Sequence, residues 1–512
     1  MIRIVSNYLR LFASVAMGLI IARLLLRGLG SEAYALIALI GSASGIIGLI
    51  QGVVSGSLNR ELAAAHHSET EGEFERVYAA ALRISLGAAL LLAAGFLVLL
   101  FFLTSIDIPP AFLDAARLLV LAKGVEAACL VLLVAPFNMY LVAERMVAFN
   151  AWTLSFRVAY FVAAIAAVTL VPADQPELSV IWFGFLSSGL ATLFLVVAVI
   201  ALGRADPRIR WPAYRPAFAE IRDLLSQVRH NVAALIATNI QMKFSGLIMN
   251  IGVGFAYNDE LGIAVLLTGY IRRLAIGMTD GLDVVSARVQ SLSGREAVRD
   301  LLAHSSRLHG VVVFPAAMFV LVVTPQLLTA WLGLGSGDEA FLGDASLLIR
   351  ILAVGMALRA VGDGWQRVLY GAGFARNYAI YSVLGALTNP AIAVLLIVVL
   401  PEELAFSAIG WGYAWAMLVF HAFPLALVGG RGLDSSIGHL LKPLFVPLAL
   451  TLVCLPIPYG ATLLVERWSM LHLLAVASLT GLTYAGLSYR IFLSAAERAA
   501  LWRFLRRRGA GA

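Results

Sequence analysis

The chain has 512 residues, 61% of them hydrophobic and 13% charged, with a mean hydropathy of +0.91. A soluble domain is about one quarter charged, so a water-soluble fold is excluded. The formal net charge of +7 lies mostly in loops and tails, and the Arg506-Arg507-Arg508 tail reads as a stop at an anionic leaflet rather than a nucleic-acid patch.

Fourteen apolar stretches run along the chain, each near the ~20 residues needed to cross a hydrocarbon core of roughly 30 Å. They cover approximately 5–26, 34–56, 80–104, 117–140, 149–171, 178–202, 231–255, 261–284, 308–330, 346–370, 377–400, 405–428, 441–465 and 469–493. Runs such as Leu90 to Leu100 lack the polar alternation of a spanning β-strand, so helices are expected. Ser31-Glu32-Ala33 loosely resembles a signal-peptide cleavage site. Arg10 and Arg23 interrupt the apolar run before it, so the segment reads as a retained first span. Cys129 and Cys454 both fall inside apolar runs and support neither a disulfide framework nor a zinc site.

Lys and Arg gather in the N-terminal tail, in the loops after even-numbered spans and in the C-terminal tail. The opposite loops and their edges hold Arg27, Arg117 and Arg467. The positive-inside rule therefore puts both termini in the cytoplasm. The longest cytoplasmic stretch, Gly203 to His230, is basic and carries Pro207, Pro212 and Pro216, as a connector between two halves would.

Features recur at a near-constant offset, as in transporters built from duplicated halves. Asn7 and Asn231 open spans 1 and 7, 224 residues apart; Arg60 and Arg288 follow spans 2 and 8, 228 apart; Asn150 and Asn377 open spans 5 and 11, 227 apart. Each half has six spans and the same orientation. The expected architecture is an all-α integral membrane protein of 14 transmembrane helices. It divides into an N-terminal six-helix lobe (1–202), a basic connector (203–230), a C-terminal six-helix lobe (231–428), and two extra helices with a basic tail (429–512).

Several motifs then fall in a recognisable order: the early Asn7, Leu29-Gly30-Ser31-Glu32-Ala33-Tyr34, Asn59-Arg60-Glu61-Leu62-Ala63 and Trp331-Leu332-Gly333. In this order the chain resembles the Wzx-type polysaccharide and oligosaccharide-lipid flippases, a branch of the MOP superfamily that also holds multidrug MATE exporters and lipid II flippases. The resemblance implies a MATE-like fold in a bacterial inner membrane. It also implies a polyprenyl-diphosphate-linked oligosaccharide of the undecaprenyl-diphosphate type as substrate, for O-antigen or exopolysaccharide assembly. Membrane lipids and polysaccharide polymerase or chain-length proteins would be partners. Span 7 departs from many relatives in carrying Asn239, Gln241 and Lys243 rather than an acidic or Arg-containing cluster.

Ionisable residues at membrane depth are expensive and so mark candidate sites. Lys243 lies 12 residues into span 7, or ~18 Å, and Arg272 and Arg273 lie about as far into span 8. Asn239, Lys243, Gly246 and Asn250 form one helical stripe, expected to line a cavity. Arg10, Asn239, Lys243, Arg272 and Arg273 are thus candidate residues of a cationic cavity between the lobes. Arg23 is a weaker one, since it can snorkel to the interface.

Asp280, Asp363 and Glu126 are candidates for coupling to a proton or sodium ion. The competing reading of each is an ion pair, Arg273 with Asp280, Arg359 with Asp363 and Lys123 with Glu126, the last two on one helix face. His421 reads as a satisfied packing histidine. Gly41, Gly45, Gly48, Gly52, Ser55 and Asn59 form a small-residue strip in span 2 that suits close helix contact. No nucleotide-binding glycine loop, catalytic constellation or His/Cys metal spacing is present, so no enzyme, cofactor or metal is expected. Two other readings compete: a cation-coupled small-molecule exporter of the same fold, which needs an anionic cavity, and a polysaccharide polymerase or ligase, which needs a sizeable outer loop.

Overall fold

The computed structural model describes residues 2–47, 62, 65–66, 70, 72–143, 145–209, 212, 214–226, 244–279, 282–334 and 337–491. These residues are almost wholly helical and contain no strand. Helix is what the composition demands, because lipid offers no partner to an exposed backbone N–H or C=O and a helix satisfies both internally.

The helices in chain order are α1 (Ile2–Leu29), α2 (Ser31–Ile47), α3 (Glu73–Phe102), α4 (Leu113–Leu132), α5 (Val134–Val142), α6 (Met146–Thr169), α7 (Pro176–Ala205), α8 (Ser245–Gly252), α9 (Asn258–Thr279), α10 (Leu282–Leu332), α11 (Glu339–Gly371), α12 (Ala375–Val399), α13 (Ala408–Ala416), α14 (Phe423–Gly432), α15 (Ile437–Cys454), α16 (Pro456–Leu464) and α17 (Met470–Ile491). Among the described residues 10 segments are long and apolar enough to cross a membrane, or 11 if the bent pair α4–α5 makes one span. The chain is a multi-pass membrane protein. Of the fourteen expected spans, the second and seventh run into residues outside those described. The eighth corresponds to α9, which carries Asp259, Glu260, Arg272 and Arg273 and is not among the 10.

Departures from the expected spans have local causes. The fourth bends by 49° between α4 and α5, where Pro136 has no amide hydrogen to give the carbonyl of Leu132. The twelfth passes through a π turn, Met417–Ala422, between α13 and α14. Pro424 deprives Phe420 of its i+4 donor there and loosens the ladder. The charged stretch after the eighth span, expected as a loop, is helical. α10 runs for 51 residues, ~77 Å if straight and far more than a bilayer requires. It therefore turns at Gly294, whose φ of 75° only glycine adopts without strain. Glu296 and Arg299 pair at 2.9 Å on its solvated face.

The chain forms two compact units. Unit 1 comprises Met1–Ile263 and Ser382–Ile409, and unit 2 comprises Ala264–Tyr381 and Gly410–Ala512. In unit 1, α6 packs between α1 and α7, and α4 packs between α3 and α7. Small residues make those contacts close: Ala159, Ala163, Ala164 and Ala167 of α6 are fully buried, and a Cβ on Gly28 or Gly184 would come within 2.6 Å of Val168 or 2.8 Å of Leu119. The same unit holds an aromatic and aliphatic core, with Phe137 against Tyr140, Phe149 and Phe156. In unit 2, α10 packs along α11, α15 and α17. Large apolar side chains also point outward, Leu91 and Phe101 of α3 and Val398 of α12 among them. Exposure of that kind suits a surface facing acyl chains. In the small-residue strip of span 2, a Cβ on Gly41 would meet nothing; the side chains from residue 43 to 61 lie outside those described.

Candidate functional site

Each unit buries its own charged cluster. In unit 1, Lys123 and Glu126 sit one turn apart on α4 and form the expected ion pair, Nζ to Oε2 at 2.9 Å. The pair is joined across helices. Tyr160 of α6 donates its hydroxyl to Glu126 Oε1 at 2.6 Å, and Ser188 of α7 donates to Oε2 at 2.8 Å. Lys123 also donates to Ser187 Oγ at 3.1 Å and stands 4.3 Å from the Tyr160 ring centroid. Both carboxylate oxygens and the ammonium are satisfied, so the cluster is a closed, neutral clamp on α4, α6 and α7.

In unit 2, Arg359 and Asp363 lie one turn apart on α11. Arg272, on α9, donates from Nε to Asp363 Oδ2 at 2.6 Å. Arg359 is buried, is close enough to Asp363 to act on it electrostatically, and reaches the Tyr413 hydroxyl of α13 at 3.5 Å. From the π turn, His421 presents Nε2 to Asp363 Oδ1 at 4.0 Å. From α10, His309 donates from Nδ1 to the Ser305 carbonyl at 2.7 Å and packs on Gly364. Trp365 donates to Ser306 of α10 at 2.5 Å.

Two glycines make the approach of the histidines possible. A Cβ at position 362 would run into His421 Nε2, and one at 364 would stand 2.7 Å from His309 Cε1. Among the described residues the cluster holds two guanidiniums and one carboxylate. The Arg272 side chain is 32% exposed against 11% for Asp363. An excess of positive charge, with one guanidinium partly open, can receive an anion.

The remaining candidates are scattered. Arg10 is half-buried in α1 with its guanidinium over the Phe149 ring at 5.9 Å. Arg23 is exposed near the end of α1. Arg273 is half-buried, 5.2 Å from the Tyr270 ring on its own helix. Lys243, Asn239 and Asp280 lie outside the described residues. The described part of the span 7 stripe, Gly246 and Asn250, is packed rather than open. Gly246 donates its amide to Ser42 Oγ at 3.3 Å, and Asn250 is buried, donating to the Asp107 carbonyl at 3.1 Å and accepting from Asn258 at 3.2 Å. A glycine on that face lets α2 come close enough to cover it.

His421 is packed, as expected, but its Nε2 finds no hydrogen-bond partner among the described residues. Tyr160, Ser187, Ser188 and His309 were not singled out from sequence. Their polarity inside apolar spans was the available signal, and their convergence on a charge was not.

No family model matches the sequence, and no curated protein matches it significantly. Solved structures do match the fold. A multidrug resistance MATE family transporter of the MOP superfamily, in an inward-facing conformation, is similar with a TM-score of 0.67 at 15% identity, over 83% of this chain and 97% of that one. The lipid II flippase MurJ, inward closed, is similar with a TM-score of 0.64 at 11% identity, over 95% and 99% of the two chains. A MOP superfamily transporter from Pyrococcus furiosus, described as having a binding pocket of reverse polarity that suggests a different function, is similar with a TM-score of 0.59 at 15% identity, over 85% and 96%. The fold is thus the MATE- and MurJ-like all-helical membrane fold.

Proposed function

We propose that the protein is a flippase that carries a polyprenyl-diphosphate-linked oligosaccharide across the bacterial inner membrane by alternating access, for surface polysaccharide assembly. The observation that carries this reading is the positive excess of unit 2, where among the described residues of the cluster Arg272 and Arg359 stand against one carboxylate, Asp363, with Arg272 partly open. Guanidinium suits a diphosphate because its planar fork meets phosphate oxygens two at a time. Arg273 and Lys243 add cations at comparable depth in the sequence, and Arg10, Asn239 and Arg23 belong to the same proposed binding set. The lipid tail stays in the bilayer while the head group crosses. The basic loops support cytoplasmic termini. Likeness to the lipid II flippase MurJ and to a transporter of reversed pocket polarity supports the same direction.

A cation-coupled exporter is the second reading, favoured by the TM-score of 0.67 with a MATE transporter. It needs an anionic cavity; of the candidate coupling acids, Glu126 and Asp363 are both held by cations, while Asp259 and Glu260 of α9 are the other buried acids among the described residues.

The test is reconstitution with a fluorescent lipid-linked oligosaccharide and measurement of its transfer between leaflets. Wild type should transfer it, and Arg272→Gln should slow transfer at least about tenfold, the loss of one charge-assisted contact. Lys243→Ala and Arg273→Ala should slow it less. Absence of transfer, or full activity in all three variants, rejects the reading; export of a cationic dye instead favours the second one.

A further inference from the structure

His421 is buried, 4% exposed, beside a full negative charge. Its ring hydrogen-bonds the backbone of Arg359. Because Nε2 has no hydrogen-bond partner among the described residues, that bond is made through Nδ1. The amide of Arg359 is used inside the helix ladder, so its carbonyl accepts and Nδ1 carries the hydrogen. A neutral ring so held turns the Nε2 lone pair toward Asp363 Oδ1, acceptor facing acceptor at 4.0 Å. Gly362 keeps that approach open. One proton would convert the pair into a donor and an acceptor.

The charges around it decide what that proton does. Arg272 comes from α9, His309 from α10, Arg359 and Asp363 from α11, and Tyr413 from α13. α14, which continues the π turn, has Arg431 as its only ionisable group, ten residues on and ~15 Å away along the axis. Protonated His421 would make three cations around one carboxylate, an arrangement that burial penalises heavily. Arg359 and Asp363 are enclosed, whereas the Arg272 side chain is 32% exposed and free to leave.

We propose that His421 is a proton-binding site whose protonation displaces Arg272 as the counter-ion of Asp363. The proton comes from hydronium, its O–H bond is exchanged for the Nε2–H bond, and Asp363 Oδ1 accepts the new hydrogen bond. The released guanidinium becomes available to an anionic ligand. By linkage, a ligand that draws Arg272 away tightens proton binding by the same factor. That last coupling rests on the function proposed above; the exchange itself does not.

The experiment uses the full chain with ¹⁵N-labelled histidine in nanodiscs, following imidazole shifts from about pH 4 to 9, a range that brackets ordinary histidine titration. The His421 signal is the one lost in His421→Gln. It should titrate in wild type, and Arg272→Gln should bind the proton about tenfold more tightly, as expected for removal of one nearby cation. Arg272→Lys, which keeps the charge, should return toward wild type and so separates charge from distortion. Undecaprenyl diphosphate added to the nanodiscs should tighten proton binding in wild type and not in Arg272→Gln. No titration in either protein, or the same midpoint in both, overturns the exchange. A shift in the variant with no response to the lipid upholds the exchange and counts against the lipid as substrate.

Discussion

The clamp of unit 1 and the cluster of unit 2 are built from the same materials: a carboxylate and a cation one turn apart on a helix, joined by partners from two or more others. They differ in closure. Lys123 and Glu126 balance each other, and Tyr160, Ser187 and Ser188 occupy the remaining donors and acceptors. Asp363 faces both Arg272 and Arg359, and the nearby histidine nitrogen has no hydrogen-bond partner among the described residues. A closed network fixes helix packing, whereas one with surplus charge and an open member has a second arrangement within reach.

The comparison breaks most sharply at Glu126. Glu126→Ala strands Lys123 in a buried site and should cost about 3–5 kcal/mol, read as a fall in thermal midpoint in detergent. Replacing both partners, Lys123→Met with Glu126→Leu, should recover most of that loss, since removing a buried pair together is often near neutral. If the double variant still folds but transport stops, unit 1 has more than a packing role.

Unit 2 should split stability from activity. Asp363→Asn leaves two guanidiniums without their carboxylate and should destabilise by about 2–4 kcal/mol. Arg272→Gln should cost about 1.5 kcal/mol, the low end for a hydrogen bond to a charged group because Arg359 still faces the carboxylate, while removing most transport. Equal losses of stability in the two variants would make Arg272 a structural partner only. Gly362→Ala pushes a methyl onto His421 and should cost about 1–3 kcal/mol by overpacking. An alanine at the open position 41 should cost nothing measurable by the same assay.

The smallest effect lies outside both clusters. The Arg208 guanidinium, bonded to Asp206 at 3.0 Å, holds that carboxyl below the usual carboxylate range. Because the folded value is depressed, the pair contributes in full above the ordinary carboxylate pKa, and the contribution is lost as pH falls from there through the lowered folded value. Arg208 is largely exposed, so Asp206→Asn should cost at most about 1 kcal/mol near neutral pH, vanishing in acid or high salt. A difference in thermal midpoint between wild type and variant across pH measures it.

Much of the fold was legible because the bilayer imposes it. Apolar runs of spanning length and the absence of strand alternation are properties of the chain alone, and most described spans fall where those runs lie. Pro136 and Pro424 were readable as helix breakers, yet the 49° bend and the π turn they produce were not. The Lys123–Glu126 pair was legible because both residues share one helix face. That Arg272 reaches Asp363 across 91 residues of chain was not.

Composition and residue spacing establish that the protein is helical and membrane-embedded, and which charges would need a reason to be buried. Transfer energy and helix geometry are local, so composition and spacing suffice for both. Which charges meet depends on how the helices pack against one another. Glycines at 28, 184, 362 and 364 set how closely helices approach, and a few tenths of a nanometre separate a neutral clamp from a carboxylate shared between competing cations.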